Sequence, residues 1–180
     1  MKTLITGASG FIGSTLIDQL NAFGFEVYSL MRKTSSNANL SERKFTRVDG
    51  DLNDLESLKR AAQGMNYIYH LAGITSATDG EIFYEHNTRG TARMAEAALS
   101  SGDSLHRFVH VSSLAAGGPV TTGEPRNETQ ADSPTSQYGK SKLAGEKELL
   151  KFKDRYPIVI VRPPMVYGPR DKNVFMMIHP

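Results

Sequence analysis

Thr6-Gly7-Ala8-Ser9-Gly10-Phe11-Ile12-Gly13 lies between an apolar run and an amphipathic one, and its reading decides the fold. Upstream, Thr3-Leu4-Ile5-Thr6 reads as a buried strand. Downstream, Phe11, Ile12, Leu16, Ile17 and Leu20 form an apolar stripe at helical spacing, and Gly24 is placed to stop that helix. Between the two, Gly7 would make a tight turn, Gly10 would let the backbone approach a pyrophosphate, and Gly13 would let the helix pack close to the sheet. The start of the helix adds free N–H groups and a partial positive charge where phosphates would lie. A glycine-rich turn without a ligand is the plain alternative. The strand–turn–helix setting at the head of a βα series favours a dinucleotide.

Working outward, the alternation of short apolar runs with longer helical patterns continues. Strands are expected at 26–31, 45–48, 67–71, 107–111 and 158–161, with helices at 55–62, 81–99 and 138–153. This is the pattern of an α/β protein with a Rossmann-type doubly wound parallel sheet and helices on both faces, occupying residues 1–180 as one NAD(P)-binding domain. The polar stretch 34–40 reads as a loop. So does the longer one from Gly117 to Gln137, which holds Pro119, Pro125 and Pro134 and almost no apolar residue. A loop of that length in a compact domain is usually functional or disordered, and its place before a helix bearing Tyr138 suggests a cover for a site.

Composition narrows the partners. With 21 basic and 19 acidic side chains, scattered along the chain, no basic stripe is available for nucleic acid. No apolar run approaches the ~18 residues of a membrane span. The absence of cysteine excludes disulfides and Cys-based metal sites and fits a reducing compartment. The chain enters a strand at once, leaving no room for a signal peptide, so a cytoplasmic protein is expected. His70, His86, His106, His110 and His179 show no metal-ligand spacing, and no metal is expected. His70, His110, Tyr67, Tyr69 and Phe108 read as sheet positions, and His86 as part of a helix face.

The choice of dinucleotide turns on the end of the second strand. An acid about 20 residues beyond the glycines would hold the ribose 2′-OH of NAD. Met31 stands there instead, followed by Arg32 and Lys33, with no acid until Glu42. A carboxylate would repel a 2′-phosphate, whereas Arg32 would pair with it, so NADP is favoured over NAD. Solvated loop charges are the plain alternative.

Tyr138-Gly139-Lys140-Ser141-Lys142 places a phenol and an ammonium at i and i+4, on one face of a helix. A free tyrosine ionises near pH 10, and a neighbouring cation lowers that value by roughly 1–3 units in favourable geometry. Lys142 is thus the natural tuner of Tyr138 and is long enough to reach a nicotinamide ribose. Ser112 and Ser113 end the fifth strand, at the carboxyl edge where open α/β sheets bind ligands. Alone, such a serine pair would more often be a turn or cap.

Together these features resemble the short-chain dehydrogenase/reductases, in particular their extended branch, nearly end to end. The Thr6-Gly7-x-x-Gly10-x-x-Gly13 spacing resembles that branch. Gly50-Asp51-Leu52 resembles the segment whose acid contacts the adenine, and His70-Leu71-Ala72-Gly73 the strand end lining the cofactor. Asn87-Thr88-x-Gly90-Thr91 resembles the helix segment carrying a structural Asn, and Arg162-Pro163-Pro164-Met165-Val166-Tyr167-Gly168-Pro169 the segment after the sixth strand. The resemblance selects Ser113, 25 residues before Tyr138, over Ser112. It implies a catalytic set of Ser113, Tyr138, Lys142 and Asn87. It also implies a cofactor site drawing on Gly7, Ser9, Gly10, Phe11, Ile12, Gly13, Arg32, Asp51, Leu52, Leu71, Ala72, Gly73, Tyr138, Lys142 and Pro163.

Within the branch, Ser113 lacks the acidic pair that follows it in sugar-nucleotide dehydratases, and Ala116-Gly117 stands where sugar epimerases often have Tyr-Gly. The Val-Ser-Ser-Leu-Ala-Ala run is more similar to the dihydroflavonol-reductase and 3β-hydroxysteroid-dehydrogenase side. The expected activity is therefore interconversion of a ketone and a secondary alcohol of a small-molecule substrate. A nucleotide-sugar epimerase is the alternative, and a non-catalytic dinucleotide-binding sensor or scaffold the third reading. The resemblance further implies a C-terminal substrate-binding region that is largely absent from these 180 residues, and a homodimer paired through the helices near 81–99 and 138–153.

Overall fold

A computed structural model describes residues 1–36, 38–120 and 123–171. The expectations for Met176–Pro180 and His179 lie outside the described residues. Six parallel strands stand in the order β3-β2-β1-β4-β5-β6. They are β1 (Lys2–Thr6), β2 (Glu26–Met31), β3 (Thr46–Asp49), β4 (Tyr67–His70), β5 (Arg107–Val111) and β6 (Ile158–Val161). The register places Thr6 opposite Leu30 on one side and His70 on the other. The strand order reverses direction between β1 and β4. A crevice therefore opens there at the carboxyl ends of the strands, where doubly wound sheets take their ligands.

Alternation along the strands sorts the core onto two faces. Ile5, Val27 and Met31 pack with Ile17 and Leu20 of α1 (Phe11–Ala22). Leu4, Ile68 and Phe108 face the other way, against α2 (Leu55–Ala62), α4 (Gly90–Ala98) and α5 (Gln137–Leu150). Tyr156 seals that side, stacking on Phe108 at 5.9 Å and donating its hydroxyl to Ala95 O at 2.8 Å. Polar starts set the helix entries: the Asp54 side chain accepts from Ser57 N, and that of Ser136 from Gly139 N. The second cap puts Tyr138 in the first turn of α5. α1 ends as expected, with Gly24 in the left-handed region at φ 75.

Several expected elements differ in form, and the fourth strand stops at His70 rather than Leu71. The third strand is shifted one residue, to Thr46–Asp49, leaving Phe45 to pack on the α1 side. The last helix stops at Leu150 rather than Lys153. The helix expected at 81–99 is divided into α3 (Gly80–Phe83), a π-helical turn (Tyr84–Arg89), α4, and a 3-10 turn over Leu99–Ser104. A π turn widens a helix by one residue, often at a functional site. Here it carries Asn87, fully buried, toward the end of β4.

Candidate active site

The glycine turn forms because its backbone has no room for side chains. Gly7 sits at φ 76, and a Cβ there would come within 2.7 Å of Ala72 N. A Cβ on Gly13 would come within 2.2 Å of Gly7 O. The third glycine thus serves the approach of the helix to the turn itself, rather than to the sheet. Gly10 caps α1 without any side-chain hydrogen bond to the first N–H groups of the helix. The polar start of a 12-residue helix is left facing the crevice. That is an anion cradle, and it fits a pyrophosphate.

Two adjoining cavities follow the carboxyl edge and share Gly7, Gly10, Leu71, Gly73 and Ile74. The first, about 320 Å³, is lined by Ser9, Ala72, Asp51, Leu52 and Arg32, all expected from the sequence. Ser35, Gly50 and His86 line it as well. The Arg32 N–H donates to Ser35 Oγ at 3.1 Å, drawing that hydroxyl into the same corner. The loop beyond is tied to the glycine turn: Asn39 donates to Ser9 O at 3.0 Å, and Arg43 to Ser14 O at 3.2 Å.

The second cavity, about 780 Å³, brings together Ser113, Tyr138, Lys142 and Asn87 with Phe11, Ile12, Gly13 and Pro163. Lys142 is 5% exposed. Burial holds its ammonium down to a pKa of about 8, against the pull of Glu146 in the other direction. Its Nζ donates to Val111 O at 2.9 Å. Ser113 Oγ accepts from Ala115 N at 3.1 Å, which orients the hydroxyl at the start of a 3-10 turn. The neighbouring Ser112 hydroxyl is spent elsewhere, donating to Glu146. The two serines thus differ in their bonds, with Ser113 the one whose hydroxyl is not given to Glu146. Asn87 fastens the strand end: its Oδ1 accepts from Ile74 N at 2.9 Å, and its Nδ2 donates to Ile74 O and Ser141 Oγ, each at 3.0 Å.

Two glycines on α5 were not singled out in the sequence, yet they allow this assembly. A Cβ on Gly139 would meet Ala115 O at 2.3 Å, and one on Gly145 would meet Asn87 O at 2.4 Å. Only a helix bare at these points lies against both the Ser113 turn and the Asn87 turn. The hydrophobic lining of Leu114, Ala115, Met165 and Val166 also went unread. The long loop differs from expectation: the lining falls to Leu114 and Ala115, while Asp132 of the loop accepts from both Arg126 and Arg162.

Behind the site, two histidines of the sheet are stacked at 5.3 Å. His70 is fully buried and satisfied, with Thr6 Oγ1 at 2.7 Å from Nδ1 and Thr91 Oγ1 at 3.1 Å from Nε2. Thr91 already donates to Asn87 O, so Nε2 carries the proton and Nδ1 accepts from Thr6. Burial, with Lys142 nearby, pushes His70 down to about 3 and His110 well below its usual value. Both are neutral struts of the sheet. Among the described residues no cluster of His, Asp or Glu is arranged to hold a metal, and no helix is long and apolar enough to cross a membrane.

A glycine cradle at the switch point of a doubly wound sheet, leading into a Ser-Tyr-Lys pocket, defines a dinucleotide-dependent class of protein. The chain belongs to the NAD dependent epimerase/dehydratase family, whose model matches residues 3–179. It is 37% identical over 185 residues to a UDP-glucose 4-epimerase of Mycolicibacterium smegmatis, covering 94% of this chain and 58% of that one. It is 34% identical over 174 residues to a putative dihydroflavonol 4-reductase of Synechocystis, covering 93% and 50%. Among solved structures, it resembles the UDP-glucose 4-epimerase of Thermus thermophilus in complex with NAD, at a TM-score of 0.84 and 32% identity over 96% of this chain and 58% of that one. The chain spans about half the length of the curated relatives it matches.

Proposed function

We propose that this chain is the cofactor-binding and catalytic half of an NADP-dependent oxidoreductase that interconverts a ketone and a secondary alcohol. The observation that supports it is the single cavity around Ser113, Tyr138 and Lys142, continuous with the glycine-lined crevice. The bound nicotinamide cofactor supplies or accepts the hydride. Gly7, Gly10 and Gly13 with the start of α1 would hold its pyrophosphate, Asp51 and Leu52 its adenine, and Arg32 and Ser35 a 2′-phosphate.

The bonds of the side chains support the following roles. Ser113 Oγ accepts from Ala115 N, which leaves its own hydrogen free to donate to a substrate oxygen. Tyr138 gives the hydroxyl proton in reduction and takes it in oxidation. Lys142 uses one of its three N–H donors on Val111 O and keeps two for a ribose. Asn87 keeps the β4 end and α5 in register through Ile74 and Ser141. The lack of cysteine fits a cytoplasmic setting, and pairing of two copies through α4 and α5 completes the reading.

A second reading, a nucleotide-sugar epimerase, is favoured by the 37% identity to a UDP-glucose 4-epimerase. Calorimetric titration with NADPH, NADP, NADH and NAD in parallel separates them. Binding of the phosphorylated pair alone supports the reductase; binding of NAD alone supports the epimerase; binding of none overturns both. In the enzyme, normal turnover by Tyr138→Phe would sink the assignment of the acid–base group.

A further inference from the structure

A second charged cluster lies behind the catalytic cavity. Glu146 sits one turn after Lys142 on α5 and is 3% exposed. Its Oε1 accepts from Ser112 Oγ in a short hydrogen bond. Arg162, directly after β6, donates to the same oxygen from Nε at 3.0 Å and to Oε2 from Nη2 at 2.5 Å. The other edge of the guanidinium holds Asp132 of the long loop through two bonds of 2.8 Å. Arg126 adds a third bond to Asp132, at 3.0 Å.

Three members of this cluster adjoin residues that line the site, and the fourth ties the long loop to them. Ser112 precedes Ser113, Arg162 precedes Pro163, Glu146 follows Lys142 on the helix, and Asp132 belongs to the loop between the Ser113 turn and α5. Burying such ions costs about as much in desolvation as their attraction returns, so the arrangement is a poor device for stability. It is a good device for alignment, because the planar fork of an arginine binds two carboxylates in one fixed geometry, which a lysine does not.

We propose that Arg162, Glu146 and Asp132 are positioning residues that hold Lys142 and the long loop in register with the end of β5. The proposal rests on reading Lys142 as part of the catalytic set. The titratable groups near Lys142 are His70 of β4, His110 of β5, and Tyr138 and Glu146 of α5, with Asp171 among the other residues that line the cavity. The two histidines are neutral. Glu146 is the anion that favours the Lys142 ammonium against its burial, and Arg162 fixes where that anion stands.

The test uses the cofactor-free chain with 13C-labelled lysine, Lys142 being assigned from Lys142→Arg. Glu146→Gln is expected to move the NMR titration midpoint of Lys142 downward by at least roughly half a pH unit. Asp132→Asn is expected to leave that midpoint in place while amide exchange in residues 123–136 speeds up about tenfold. Arg162→Lys is expected to speed exchange in the same loop, because an ammonium does not hold two carboxylates in one fixed geometry. A purely structural role would not move the lysine midpoint. An unshifted midpoint in Glu146→Gln, or unchanged loop exchange in Asp132→Asn, overturns the proposal. Titration of the unsubstituted chain with NADPH tests the functional reading separately, so failure of one is distinguishable from failure of the other.

Discussion

Lys142 Nζ donates to the backbone carbonyl of Val111 at 2.9 Å, anchoring a buried ammonium to the last residue of β5. The bond fixes the helix that bears Tyr138 against the strand that leads into Ser113. It also leaves a charge in a place that disfavours charge.

Burial lowers the pKa of Lys142 from 10.5 to about 8. Between those values the unfolded chain binds more protons than the folded one, so stability rises with pH across that window. The stability is present above pH 10.5 and is lost as pH falls through about 8. The gap corresponds to on the order of 3 kcal/mol. Lys142→Met is therefore expected to raise stability at pH 7 and flatten the rise between pH 8 and 10. Urea unfolding at several pH values checks this; an unchanged slope counts against it.

The stacked histidines predict unequal responses to the same substitution. The ring nitrogens of His110 reach no hydrogen-bond partner among the described residues, whereas both nitrogens of His70 are paired. His110→Phe is expected to cost little and to lower the pH of acid unfolding. His70→Phe strands the Thr6 hydroxyl and is expected to cost about 1–3 kcal/mol. The sign for His70 is plain: its folded pKa of about 3 lies below 6.5, so its contribution is held above pH 6.5 and lost as pH falls toward 3. Circular dichroism through an acid titration compares the two variants.

Gly145→Ala should destabilise the protein despite a better helix former. Alanine gains about 1 kcal/mol over glycine within a helix. Its Cβ would lie 2.4 Å from Asn87 O, and backbone moves only at a cost of about 1–3 kcal/mol. A lowered melting temperature is expected, with cofactor binding weakened in proportion to the shift of the Asn87 turn. A raised melting temperature would mean that α5 moves aside freely.

Arg32→Ala should weaken NADPH binding by about 10–100-fold, the worth of a charge-assisted hydrogen bond, and leave NADH unchanged. Parallel calorimetric titrations measure both. Equal losses for the two cofactors would remove Arg32 from the 2′-phosphate site.

Much of this protein was legible in its residues because the signals are local. The Gly7–Gly13 turn, the apolar strands and the Tyr138–Lys142 spacing each depend on neighbours within a few positions. They were enough to place the doubly wound sheet and the cofactor edge. The division of the 81–99 helix was not legible, because the π turn is held by Asn87 reaching Ile74 and by the bare surface of Gly145, contacts across 13 and 58 positions. The shift of β3 was a boundary error at an exposed edge strand, where burial offers little to read.

The sequence by itself thus determined the class of fold, the cradle and the catalytic residue types, since periodicity and glycine spacing act through local backbone geometry. Only the tertiary structure decided that the Ser112 hydroxyl is taken up by Glu146, which histidine is satisfied, and that Glu146 and Arg162 stand behind Lys142. These depend on pairing between side chains distant in sequence, which packing alone brings within hydrogen-bond reach.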